Sequence, residues 1–135
     1  MRKAKLSIFI LLVLIAVFII TSFINTKTSE KDLIIGTWIS EDDPNWTIEF
    51  TTDGNSQWNY ISENPDNFTY NITTSSPQCG YEVQVAGSQF SYLTLTDSSD
   101  GDITCYEILG VDNESLSLST ISLGTNYFLF NKVPD

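Results

Sequence analysis

From residue 33 onward, apolar and polar side chains alternate, and no stretch holds a helical period. The segments "WTIEF" at 46–50 and "SLSLS" at 115–119 carry the pattern most cleanly. Runs rich in Trp, Tyr, Ile, Thr and Val are separated by clusters of Gly, Asn, Asp, Ser and Pro, the signature of half-buried strands and their turns. The strands so predicted span 33–40, 45–51, 55–62, 67–74, 79–86, 89–96, 103–111, 115–121 and 125–133. Regular spacing with short connections predicts an all-β domain, either a sandwich or an up-and-down barrel.

The alternation also sets a register. Trp46, Ile48 and Phe50 share one face of the second strand, and Trp58 and Tyr60 share one face of the third. A two-residue turn at Asp53-Gly54 would put Phe50 opposite Gln57. A three-residue loop, Thr52-Asp53-Gly54, instead pairs Ile48 with Trp58 and Trp46 with Tyr60, and puts glycine where such a hairpin wants a left-handed residue. The runs near the C-terminus are less informative, because Tyr127-Phe128-Leu129-Phe130 is apolar on both faces.

Before residue 33 the pattern changes. Arg2, Lys3 and Lys5 precede an uncharged apolar run of 19 residues, Leu6 to Ile24, close to the roughly 20 needed to cross a hydrocarbon core as a helix. Residues 1–32 are therefore expected to form a signal or membrane-anchor helix with a short polar linker, and residues 33–135 the β domain. A cleaved secretory signal and an uncleaved anchor both remain open. Either places the domain outside the cytoplasm, in the cell envelope or beyond, because the basic residues lie on the N-terminal side of the run.

Charge narrows the functional classes. The chain carries a formal charge of −11, and from Leu33 to Asp135 one cation, Lys132, stands against 15 acidic side chains, a formal −14. Such a domain has no clustered Lys and Arg with which to grip a phosphate backbone, so nucleic acid is excluded as a partner. The chain has no histidine, which removes Ser-His and Cys-His nucleophile arrangements and leaves no complete zinc site. No pair of carboxylates stands out for acid–base work, and the chain is expected not to be an enzyme. Asp97, Asp100 and Asp102 share one loop, but without the spacing of an EF-hand, and read as a polar turn rather than a metal site. No metal or cofactor is expected. Cys79 and Cys105 both fall in the exported part, where an even count predicts one disulfide, worth about 3 kcal/mol for a loop of this length.

The segment "KDLIIGTWIS" at 31–40 gives the fold a sharper form. Gly36-Thr37-Trp38 resembles the G-x-W motif of lipocalins and the wider calycin group, followed here by the hairpin "NWTIEFTTDGNSQWNY" and the closing "ESLSLSTISLGTNYFLFNKV". The order is similar to that of small bacterial lipocalin-like domains and covers residues 33–133. The resemblance implies a small antiparallel barrel of about eight or nine strands. It further implies that Trp38 lies across the closed end, that Gly36 lets the backbone pass closely, and that a basic residue of the last strand, here Lys132, packs over the Trp ring, a contact worth about 0.5–2 kcal/mol.

The aromatic side chains are numerous for so small a domain. Trp46, Trp58, Tyr60, Tyr70 and Tyr106 are candidates to line an apolar ligand site, although an eight-stranded barrel is only just wide enough to hold its own side chains. The expected function is a monomeric, non-enzymatic binding module for a small apolar or amphipathic ligand. The alternative is an acidic module that caps a cationic protein, in the manner of small β-barrel inhibitors of lysozyme.

Overall fold

The computed structural model describes residues 28–60, 63–77, 79, 80, 90–121 and 126–134. Among them eight antiparallel strands follow in order: β1 (Gly36–Ser40), β2 (Trp46–Phe50), β3 (Asn55–Tyr60), β4 (Asp66–Thr73), β5 (Ser91–Asp97), β6 (Ile103–Val111), β7 (Ser115–Thr120) and β8 (Tyr127–Lys132). Each pairs with the next, and β8 pairs back onto β1, so the sheet closes into an up-and-down barrel without an edge. The strand predicted over 79–86 lies, apart from Cys79 and Gly80, outside the described residues. So does the apolar run 6–24; among the described residues no helix is long and apolar enough to cross a membrane.

Hairpin geometry follows the hydrophobic pattern. Ile48 stands opposite Trp58 and Trp46 opposite Tyr60. The loop between them turns on Gly54 at φ +86°, and the Thr51 and Asn55 backbones bridge its neck at 2.9 Å. A residue with a Cβ would be strained at that φ. The ambiguous run on β8 resolves by the same period of two: Phe130 is buried, Phe128 packs against the core, and Tyr127 and Leu129 are exposed. One irregularity interrupts the pairing of β6 with β7. A bulge between Ile108 and Gly110 leaves Leu109 outside, half exposed, and returns the strand to register.

The first predicted strand starts too early. Residues 30–33 form a single helical turn, α1 (Glu30–Leu33), and β1 begins only at Gly36. The cause is local: Ser29 caps the turn, its Oγ accepting from the Asp32 amide and donating to Asp32 Oδ2. The spacing Ser29-x-x-Asp32 is a capping signal that outweighs the apolar character of Leu33 and Ile34.

This turn lays the chain across one end of the barrel. Ile34 and Trp38 are completely buried there. Trp38 Nε1 donates to the Ile34 carbonyl at 2.7 Å, so the indole enters the core with its one donor satisfied. Lys132, directly opposite Trp38 in the β1–β8 register, holds its Nζ 4.9 Å from the Trp38 ring centroid and donates to the Leu33 carbonyl at 3.1 Å. Gly36 adopts φ +125°, and a Cβ built on it would lie 2.9 Å from Lys132 Cε. Backbone, ring and ammonium thus occupy one another's only available space.

The disulfide expected between Cys79 and Cys105 is not formed: both are free thiols. Cys105 projects from β6 on the outer face of the sheet, opposite Thr94, and is buried all the same. Its sulfur lies 3.9 Å from Thr94 Oγ1, while the Cys79 sulfur lies 3.8 Å from the Pro77 carbonyl. The two thiols are near each other without being bonded. Burial pushes the Cys105 thiol up to about 12, and that contact with Cys79 adds to the rise, so the thiolate needed to form a disulfide is disfavoured.

Two expectations follow for stability, read from urea unfolding. Trp38→Ala loses about 3–5 kcal/mol, as large buried aromatics do. Lys132→Met keeps the apolar stem but loses the ring contact and the bond to Leu33, and costs about 1–2 kcal/mol. If Lys132→Met unfolds at the urea concentration of the parent chain, the ammonium has no part in closing the barrel.

Candidate functional site

The connections β1–β2, β3–β4, β5–β6 and β7–β8 gather at the end opposite α1, because the strands simply alternate in direction. Just inside that end the barrel is filled with rings. Trp46, at the start of β2, is stacked on Tyr60 with centroids 5.5 Å apart and an interplanar angle of 13°. It meets Trp58 at 5.6 Å, and Phe128 and Phe130 edge-on at 5.2 and 5.0 Å. Trp58 continues the contact to Tyr106 at 5.6 Å and to Phe68 at 5.8 Å. Offset and edge-to-face contacts of this kind add to the gain from burial alone.

Four of the five candidate ligand residues, Trp46, Trp58, Tyr60 and Tyr106, therefore belong to one nest. Tyr70 does not. It lies toward the other end, packs edge-on against Phe50 at 5.1 Å, and donates its hydroxyl to the Thr51 carbonyl at 2.8 Å. Phe128, Phe130 and Phe68 are members of the nest that the sequence reading did not single out. For Phe128 and Phe130, alternation from the buried Leu116 and Leu118 across the sheet would have pointed inward, since they stand opposite Phe130 and Phe128.

The polar groups of the nest are unequally served. Trp58 Nε1 donates to Ser56 Oγ at 3.1 Å. Trp46 Nε1 is buried and is the one fully enclosed side-chain donor or acceptor without a hydrogen-bond partner among the described residues. Trp46 itself is only 9% exposed. Of the rings packed on it, Trp58, Phe128 and Phe130 offer only π faces, weaker acceptors than an oxygen, and the Tyr60 hydroxyl does not reach it. An unmet donor at this depth is costly, on the order of 1–3 kcal/mol.

Around the nest the loops are acidic. Glu41, Asp42 and Asp43 lie in the β1–β2 connection, Glu63 and Asp66 at β3–β4, and Asp97, Asp100 and Asp102 at β5–β6. Lys31 and Lys132, the cations among the described residues, both belong to the other end. Three of the carboxylates converge on the stacked tyrosine: burial raises the Tyr60 hydroxyl above its ordinary value, and the charges of Asp43, Glu63 and Asp66 raise it further. Tyr60 is 39% exposed and forms the outer face of the nest, with Tyr127 and Ile103 also exposed at this end. In the β5–β6 loop the carboxylates serve the loop itself, since Asp97 accepts from the Ser99 amide and hydroxyl at 2.6 Å and Asp100 from the Asp102 amide at 2.9 Å. One surface hollow, of about 350 Å³, lies on the flank of β2–β4 and is lined by Glu49, Thr51, Asn55, Gln57, Asn67 and Phe68; another, of about 250 Å³, lies in the acidic loops among Pro65, Asp66, Asp97 and Ser99.

No protein-family model, no curated protein and no solved structure matches the chain. The site is therefore argued from its own geometry.

Tyr106 gives that geometry a solution signature. Burial pushes its hydroxyl up to about 12, with the charges of Tyr60 and Cys105 adding to the rise. In the unfolded chain the same phenol ionises near 10. Between those values the unfolded state releases the proton and the native state keeps it, so stability present below pH 10 is lost as pH approaches 12, at about 1.4 kcal/mol per unit. In an absorbance titration of phenolate, Tyr106→Phe should remove the step nearest pH 12 and flatten the alkaline loss of stability. Removal of a step near pH 10 instead would mean that Tyr106 is not enclosed.

Proposed function

We propose that this chain is an exported, lipocalin-like and non-enzymatic binding module, anchored or secreted through residues 6–24, that takes a small amphipathic ligand at the aromatic end of its barrel. The carrying observation is the unpartnered Trp46 Nε1 at the centre of the nest. A ligand with an apolar body and an acceptor oxygen would cover the rings and satisfy that donor together. Trp46, Trp58 and Tyr106 are nearly enclosed by their neighbours, whereas Tyr60 stands at the surface, so entry requires the Tyr60 ring to lift from Trp46. The other end is shut by Trp38, Lys132 and α1, which supports a single mouth.

A second reading has its own support. The acidic rim and the exposed Tyr60, Tyr127 and Ile103 would also suit a basic protein surface, recognised without anything entering the barrel.

Native mass spectrometry of the full chain, purified without denaturation, separates the two. The ligand reading expects a retained small-molecule mass that Tyr60→Ala or Trp46→Ala loses. A bare mass in the parent chain, with capture of a basic protein that weakens steeply as salt rises, would overturn it in favour of the second.

A further inference from the structure

The aromatic nest leaves the chemistry of the ligand's head open, and the rim around it does not. Any group that projects from the nest past Tyr60 meets three carboxylate residues held beside it: Asp43, whose carbonyl accepts from the Trp46 amide at 3.0 Å, Glu63, whose amide donates to the Tyr60 carbonyl at 3.0 Å, and Asp66, opposite Trp58. Beyond them lie Glu41, Asp42 and the β5–β6 carboxylates, with no Lys or Arg among the described residues of this end to offset them. The residues of these loops that are not described, 61, 62 and 122–125, are uncharged by sequence. An anionic head would sit in a field of its own sign, and a neutral one would gain nothing from it. A cationic head gains twice, from the carboxylates and from the electron-rich face of Tyr60 stacked over Trp46. Within the nest the enclosed Trp46 N–H asks for the opposite feature, an acceptor on the ligand body.

Resting on the binding-module reading, we infer that the ligand is an organic cation: an ammonium group held at the Tyr60 rim, joined to an apolar or aromatic body whose carbonyl or ether oxygen accepts from Trp46 Nε1. The two demands are separated in space, the acceptor inside and the charge outside, so a molecule with only one of them is recognised by half.

Matched probes isolate each half. Benzoylcholine carries ring, carbonyl and cation; methyl benzoate lacks the charge; benzoate reverses it. Isothermal titration of the full chain at low and high salt should show benzoylcholine binding about tenfold more tightly than methyl benzoate, and benzoate not at all, with the cation's advantage shrinking as salt screens the rim. The triple variant Asp43→Asn, Glu63→Gln, Asp66→Asn keeps the local hydrogen-bonding shapes on an exposed rim. It should bring benzoylcholine to within about twofold of methyl benzoate. Trp46→Phe should weaken both carbonyl probes alike while leaving their ratio unchanged. Equal binding of all three probes would overturn the cation assignment and leave the aromatic site standing. Binding of none, with unchanged near-ultraviolet dichroism, would overturn the site as well. Binding of a basic protein but not of benzoylcholine would replace the small cation with a docking surface. Benzoylcholine binding that neither variant alters would show association elsewhere and overturn the assignment too.

Discussion

The contact on which the barrel depends joins its first strand to its last. Lys132 lies over Trp38 and reaches the Leu33 carbonyl, a hydrogen bond between residues 99 apart in sequence. An ammonium held between a buried indole face and a turn carbonyl ties the two ends of the chain together through one side chain. The glycine beside it has its own cause, since the backbone at Gly36 adopts φ +125°, a conformation that residues with a Cβ rarely adopt. Because β1 meets β8 only through this closure, the sheet has open edges until the last strand arrives. Long-range pairing of this kind makes folding slow relative to a local topology.

The two ends are chemically unlike. At the α1 end every large polar group in the plug has a partner: the Trp38 donor, the Lys132 ammonium and the Tyr70 hydroxyl all end on backbone carbonyls. At the other end an indole donor is enclosed without one, and carboxylates stand together without a cation. Stability is concentrated in the first arrangement. The second leaves interactions unmet within the chain.

Much of the architecture was legible from the alternation of side chains. The three-residue loop at Thr52-Asp53-Gly54 follows from asking which register keeps Trp46, Ile48, Trp58 and Tyr60 on one side. The residues of the closed end, Gly36, Trp38 and Lys132, could be named because Gly36-Thr37-Trp38 resembles the lipocalin G-x-W motif, which implies a basic residue of the last strand over the ring. Height along the barrel axis was not legible. Tyr70 shares the inward face with Trp58 but sits at the opposite end, and a period of two carries no information about which end a ring occupies. Nor was the burial of Tyr92 and Cys105, which project outward from β5 and β6 and are covered all the same. Alternation describes a strand's two faces but not what the rest of the chain lays over the outer one. The thiol pair failed as a disulfide for the same reason: counting cysteines says nothing of how their sulfurs are placed.

The chain enters the barrel through α1, at the shut end, while the ring-filled end lies opposite. A leash attached ahead of residue 28 would therefore hold the molecule by its base, with the aromatic end pointing away from the point of attachment. The carboxylates of the β1–β2, β3–β4 and β5–β6 loops would then be carried away from the point of attachment, while Glu30, Asp32, Asp112 and Glu114 stay at the base. A copy tethered there would present its aromatic end to the surrounding solution.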